Sequence, residues 1–265
     1  MHDAASRPYI NKQSPHFYQV SIIINSNQHQ HQQRSQRGRS VSSADIVNEA
    51  IRSRRSVRGF LPQPVDEVII RDILKSASFA PSGSNIQPWK AQVLTGDKTN
   101  RLRDLMFAAF TSQTPERREY QYYPVNWRSP YIDRRRENGF GLYETIGIKK
   151  GDKEAMFKQH SRNFLFFDAP VVMFFTIDGD LEKGSWLDYG MFLQSVMVAA
   201  RGYGLHTCAQ AALANYPDIV KRELGIPDSE VIVCGMSMGY EDPTEKANAF
   251  RATRLPIDQF VQFHS

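Results

Sequence analysis

Apolar residues recur at helical spacing in ADIVNEAI, where Ile46, Val47, Ala50 and Ile51 share one face behind a serine, Ser42 or Ser43, suited to cap the first turn. A second helix opens at Pro64-Val65-Asp66-Glu67 with the stripe Ile69, Ile70, Ile73, Leu74 and Ala77, and Pro81 stops it. PSGSNIQPW reads as a long turn and KAQVLTG as a strand. Asp97 begins a helix carrying Leu102, Leu105 and Met106. Residues 113–143 are charged and aromatic, which predicts a mobile helical excursion. APVVMFFTID is a continuous apolar run of strand length, hence a buried strand. GSWLDYGMFLQSVMVAARGYG is apolar nearly all round, which predicts a central helix ended by Gly202 and Gly204. NYPDIVKRELGIP reads as a short helix with Asn215 at its cap and Gly225 at its stop. EVIVCGMSMGY is a further strand, and LPIDQFVQF a terminal arm or helix. The sum is mixed α and β, with more helix than strand and no internal repeat.

Composition changes this picture in one place. The 265-residue chain is 41% hydrophobic and 23% charged, which is ordinary for a globular protein. Residues 1–43 differ: SNQHQHQQRSQRGRS is low-complexity and polar, and such a segment buries too little apolar surface to offset its ordering entropy. Two domain assignments follow, a disordered extension over 1–43 and a folded domain over 44–265. The segment at 20–24, VSIII, is the extension's one apolar patch, and His29 and His31 could take up a metal adventitiously. A transit peptide is a second reading of this acid-poor start, against which stands its lack of amphipathic periodicity.

The formal charge is +5, but residues 1–43 hold a net +4 of it, leaving +1 for the body. That excludes a broad nucleic-acid footprint on the folded part. No run approaches the ~18 apolar residues that a membrane-spanning helix needs. Cys208 and Cys234 lie far apart and in no metal-ligand spacing, which suits a reducing, cytoplasmic setting. A GxGxxG fingerprint after a strand, a GxxxxGK[ST] loop, HExxH, GxSxG and CxxC are all missing from the sequence. The common nucleophile, metal and nucleotide chemistries lose their sequence support with them.

Four stretches carry candidate chemistry. IRSRRSVRGF places Arg52, Arg54, Arg55 and Arg58 within seven positions where a helix runs out. A helix C-terminus repels anions, so an anion there must be held by side chains: Arg54 and Arg58, with the Ser56 hydroxyl. A solvated charge run complementing the helix dipole is the competing reading. APSGSNIQPW offers Ser, Asn and Gln groups to a heterocycle edge, or is simply a helix-to-strand loop. GLHTCAQAALANY has small residues that let backbone approach a flat ring, or that serve helix–strand packing. NAFRATRLP adds Arg251 and Arg254. His160 and His206 are available for acid–base work, but a structural role suits both.

Taken in order, RRSVRGF, APSGSNIQPW, GLHTCAQAA, GIP, GMSMGY and R..RLP resemble the FMN-dependent nitroreductase family from about residue 44 to the C-terminus. YPVNWRSPYIDRRRENGFGLY, RNFLFFDAP and GSWLDYGMFLQ are similar to its nitrobenzoate reductase branch. The resemblance implies an α+β fold with a central, mostly antiparallel sheet flanked by helices, in a domain-swapped homodimer with FMN at the interface. It implies that Arg54, Arg55, Ser56 and Arg58 contact FMN and that Arg254 joins the phosphate grip. The family's second basic position falls on Ala252, with Arg251 as the available replacement. It further implies that Pro81, Ser82, Ser84 and Asn85 reach the flavin from the partner subunit, and that Gln210, Ala211 and Ala212 lay backbone near its redox edge, where some relatives carry Glu-Gly. The implied activity is ping-pong hydride transfer from NAD(P)H through flavin N5 to a nitroaromatic or similarly electron-poor acceptor, with no catalytic side chain and no metal. Arg134 to Arg136 could attract an acidic substrate, and the aromatics of the excursion could roof the ring. Another flavin-dependent reductase, dehydrogenase or dehalogenase, or a non-catalytic FMN binder, remains open on the sequence.

Overall fold

The Ser42 hydroxyl accepts the Asp45 N–H at 3.1 Å, and the Asp45 carboxylate accepts the Ser42 N–H at 3.0 Å. This reciprocal cap starts helix α1 (Ser43–Ser53). The computed structural model describes residues 41–265. The VSIII segment, His29 and His31 lie outside the described residues. The predicted stripe of α1 exists, but Ile46, Val47 and Ile51 are all exposed. α2 (Glu67–Ala77) is capped by Asp66 and buries Ile70, Ile73 and Ala77. It ends ahead of Pro81, where the Ser78 N–H closes its last turn on Leu74 O.

β1 (Lys90–Thr95) leads directly into α3 (Gly96–Thr111), whose Leu102 and Met106 are buried while Leu105 is only half-buried. The excursion that follows is irregular up to α4 (Tyr131–Thr145), a helix with no buried residue. α5 (Lys153–Ser161) precedes β2 (Val171–Asp178), which is buried over all but its last position, as its apolar run requires. α6 (Lys183–Gly202) crosses the sheet, followed by β3 (His206–Gln210), α7 (Pro217–Leu224) and β4 (Glu230–Gly239). The strand order is β1-β2-β4-β3, antiparallel throughout, with Lys90 opposite Thr176, Val171 opposite Met238 and His206 opposite Gly239. Helices α2 and α6 cover one face of this sheet, and α3 and α7 pack on the other.

Three readings change. Only one face of α6, carrying Tyr189, Phe192, Val196 and Ala200, is buried, whereas Leu187 is 71% exposed. β3 was hidden in the sequence because its polar His206, Thr207 and Gln210 are all buried, which erases the period-two alternation. Tyr216, not Asn215, holds the N-cap position of α7, where Pro217 begins the helix and Gly225 ends it at φ +66. Asn215 is instead the buried end of the preceding 3-10 turn. Of the two readings of the C-terminal run, the arm is the one found, with one 3-10 turn, Ile257–Gln259.

Candidate functional site

At Arg54 the chain leaves α1 in extended conformation and runs beside β3: Ser56 bridges Thr207, and the Val57 N–H donates to Thr207 O at 3.1 Å. This covers an otherwise open sheet edge. The buried side chain of Asn248 locks the run from the other side. Its Oδ1 accepts the Arg58 N–H at 2.7 Å, and its Nδ2 donates to Gly59 O at 2.8 Å and Asp242 O at 2.9 Å. Gly59 has to be glycine, because a methyl group there would lie 2.4 Å from Cγ of Glu245. Residues near the two ends of the described chain are thereby brought together.

They enclose a hollow of about 640 Å³ lined by Arg52, Arg54, Arg55, Ser56, Arg58, Arg251 and Arg254, together with Ala252, Phe250, Asn138 and Gln194. Arg54, Arg58, Arg251 and Arg254 form no ion pair with any described residue. Their protein hydrogen bonds go to nearby carbonyls: Arg58 to Ser56 at 3.2 Å, Arg251 to Asn248 at 2.6 Å, Arg254 to Thr253 at 2.8 Å. Burial, and then the charge of Arg254, hold the Arg54 guanidinium below its ordinary pKa. The hollow therefore collects positive charge with no carboxylate to match it. Arg55 is the exception, with its guanidinium on both carboxylate oxygens of Glu241.

The other expected contacts lie elsewhere. Pro81, Ser84 and Asn85 are exposed on a loop that Asp188 pins by accepting the Gly83 N–H at 3.0 Å. The Ser82 hydroxyl accepts the Gln87 N–H at 3.0 Å, and Ser84, Asn85 and Gln87 all hold positive φ near 50°. Gln210 closes β3 with its side chain already engaged: it donates to Asn163 O at 3.0 Å and accepts from Ser237 Oγ at 2.6 Å. Only main chain is left to offer at Gln210, and Ala211 and Ala212 continue it in a 3-10 turn. None of these seven residues lines the arginine hollow.

His206 sits on β3, with Nε2 3.4 Å from Glu241. Burial first, then Arg201, Arg55 and Arg251, push its pKa down to about 3, so it is neutral at ordinary pH. His160 is likewise lowered, mainly by burial. In the excursion, Arg135 stacks over Trp127 at 4.7 Å and Tyr123 at 5.5 Å, and Arg128 and Arg134 flank Tyr131. Glu241, Asn248, Asn138 and Gln194 went unnoticed in the sequence, since nothing local marks a residue whose partner is remote. Glu241 alone left a trace, as a carboxylate directly after the apolar run GMSMGY.

Residues 51–240 match the profile of the Nitroreductase family. The chain belongs to that family. Among its relatives, a 4-nitrobenzoate reductase of Pseudomonas putida is 39% identical over 83% of this chain and 96% of the relative. A nitrobenzene nitroreductase of Ectopseudomonas oleovorans is 36% identical over 83% of this chain and 98% of its own length. The crystal structure of the FMN and NADPH-dependent nitroreductase NfnB from Sphigopyxis sp. strain HMH superimposes with a TM-score of 0.79 at 34% identity, covering 83% of this chain and 99% of that one. The α+β architecture of this family member, with its open antiparallel sheet, is the nitroreductase fold.

Proposed function

We propose that this family member is an FMN-dependent NAD(P)H oxidoreductase that reduces nitroaromatic compounds. The observation that carries the reading is the hollow in which Arg54, Arg58, Arg251 and Arg254 converge without a counter-ion among the described residues. That donor set fits the phosphate of FMN. Charge-assisted hydrogen bonds contribute about 1.5–3 kcal/mol each, so two or three of them give a firm grip. The same four residues with the Ser56 hydroxyl would hold the phosphate, whereas Arg55 serves the loop itself through Glu241. FMN held there would supply the redox chemistry between NAD(P)H and the nitro group. The chain's own task is then to bind and orient.

Pro81, Ser82, Ser84 and Asn85 are assigned to the flavin of a second copy, and the backbone of Gln210, Ala211 and Ala212 to the ring of the chain's own. The exposed apolar residues of α1, Leu187 on α6, and Ile257, Phe260 and Phe263 on the arm support a homodimer, because together they leave extensive apolar surface in water. The FMN-binding domain is placed at 44–265, consistent with the family match over 51–240. A cytoplasmic location suits the two free, buried cysteines, and no described helix is long and apolar enough to cross a membrane.

The test is the absorption spectrum of the purified full-length protein. Flavin bands near ~370 and ~450 nm should be present, bleach with NADPH, and return on addition of 4-nitrobenzoate. A colourless protein that takes up no added FMN overturns the proposal. A flavoprotein that NADPH bleaches but nitroaromatics do not reoxidise overturns the substrate alone.

A further inference from the structure

Arg251 and Arg254 lie in a segment, 251–256, without regular structure, and their side chains bond only to carbonyls close by in the chain. Something else has to set their positions. Each follows directly on a residue that touches α4. Phe250, before Arg251, packs against Gly141, where a methyl group would lie 2.9 Å from the ring carbon Cε2. Thr253, before Arg254, donates its hydroxyl to Glu137 at 3.0 Å. Glu137 and Gly141 are four residues apart and so share one helix face, and Asn138 beside them borders the arginine hollow. α4 has no buried residue of its own, and it packs on the Lys246–Ala249 turn that carries Asn248. A helix with so little core is held in place by this docking.

We propose that α4 is the positioning element of the anion seat: Gly141, through Phe250, and Glu137, through Thr253, hold Arg251 and Arg254 where they close on a phosphate. The inference rests on the FMN reading above and adds to it a role for the charged excursion. Its consequence is selective. FMN and riboflavin differ only by the phosphate, so disturbing α4 should weaken the first and spare the second.

The experiment titrates flavin-stripped full-length protein with FMN and with riboflavin, following quenching of flavin fluorescence, for the wild type, Gly141→Leu and Thr253→Val. Leucine is a better helix former than glycine by up to about 1 kcal/mol, so lost helicity cannot be the cause of weaker binding. Gly141→Leu should raise the FMN Kd at least about tenfold, some 1.4 kcal/mol, and leave the riboflavin Kd within about twofold. Thr253→Val, nearly isosteric, should move only the FMN Kd, by about threefold, the loss expected for one modest hydrogen bond. It carries the test by itself if the leucine variant does not fold. Equal losses for both flavins, or no loss for either, overturn the assignment of α4. A wild type that binds riboflavin as tightly as FMN overturns the anion seat itself, and the role of α4 falls with it.

Discussion

Guanidinium groups gathered around one hollow repel each other, and an anion that enters relieves the repulsion. Burial first, and then the charge of Arg254, lower the pKa of Arg54. Ligand that binds only the native state stabilises by about 2.7 kcal/mol at a hundred times its Kd. FMN, and more weakly inorganic phosphate, should therefore raise the melting temperature of flavin-stripped protein. Arg254→Met should lose most of that increase and weaken FMN binding at least about tenfold, yet melt no lower than the wild type without ligand, because one source of repulsion is gone. A variant that keeps the full phosphate-dependent rise removes Arg254 from the seat. Arg55 is a warning against reading arginines by their spacing. It stands between two others in the sequence, but Glu241 takes its guanidinium, and only the fold decides which arginine is spent and which is free. His206 gives a second test at this scale. Its native pKa is about 3, against roughly 6.5 when unfolded. Between those values the unfolded chain binds a proton that the native one does not, so stability should fall as pH falls from 6.5 toward 3. His206→Asn should flatten that part of the curve, measured by urea unfolding at a series of pH values. An unchanged slope would assign the acid sensitivity to other groups.

Helices α1 and α6 are apolar beyond what this single chain can bury. The sequence of α6 promised burial all round, and the fold covers one side and leaves Leu187 in water. α1 presents its entire apolar stripe outward. A helix whose pattern outruns its surroundings is one written for a partner surface. On the homodimer proposed above, Leu187→Asp and Val47→Asp should each shift the protein from dimer to monomer in light scattering at micromolar concentration. If the 81–85 loop serves the second copy, flavin content should fall in parallel. Monomeric wild type, or variants that stay dimeric and yellow, would separate those faces from assembly. Elements with a strong pattern, the helical stripe of α2 and the continuous apolar run of β2, were legible in the sequence because burial and pattern coincide in them. β3 was not legible, since its buried polar residues are satisfied by remote groups: Gln210 by Asn163 and Ser237, and His206 beside Glu241. The short cap of α7 was misread by one residue because Asn215 is recruited to the preceding turn instead.

At the scale of the molecule, residues about two hundred positions apart form one seat, and each of its parts looked ambiguous until Asn248 tied them together. The resemblance of ordered motifs named the residues; it could not say that Arg55 is engaged, that Gln210 has only backbone to offer, or that α4 borders the hollow. What the sequence did separate cleanly is charge. Residues 1–43 carry a net +4 and the remainder +1, so the basic character of the chain and the basic character of its site are different things. The site's positive charge is local, and Arg54, Arg58, Arg251 and Arg254 find no counter-ion among the described residues. The body also begins with its own cap: the reciprocal Ser42–Asp45 pair satisfies two of the donors in the first turn of α1 from within residues 42–45. Removing residues 1–40 should consequently leave flavin content, melting temperature and nitroaromatic turnover within error of the full chain, while retention on a polyanionic column drops sharply. If turnover or flavin falls with the truncation, the N-terminal residues belong to the working enzyme, and the division of the chain near residue 43 has to be redrawn.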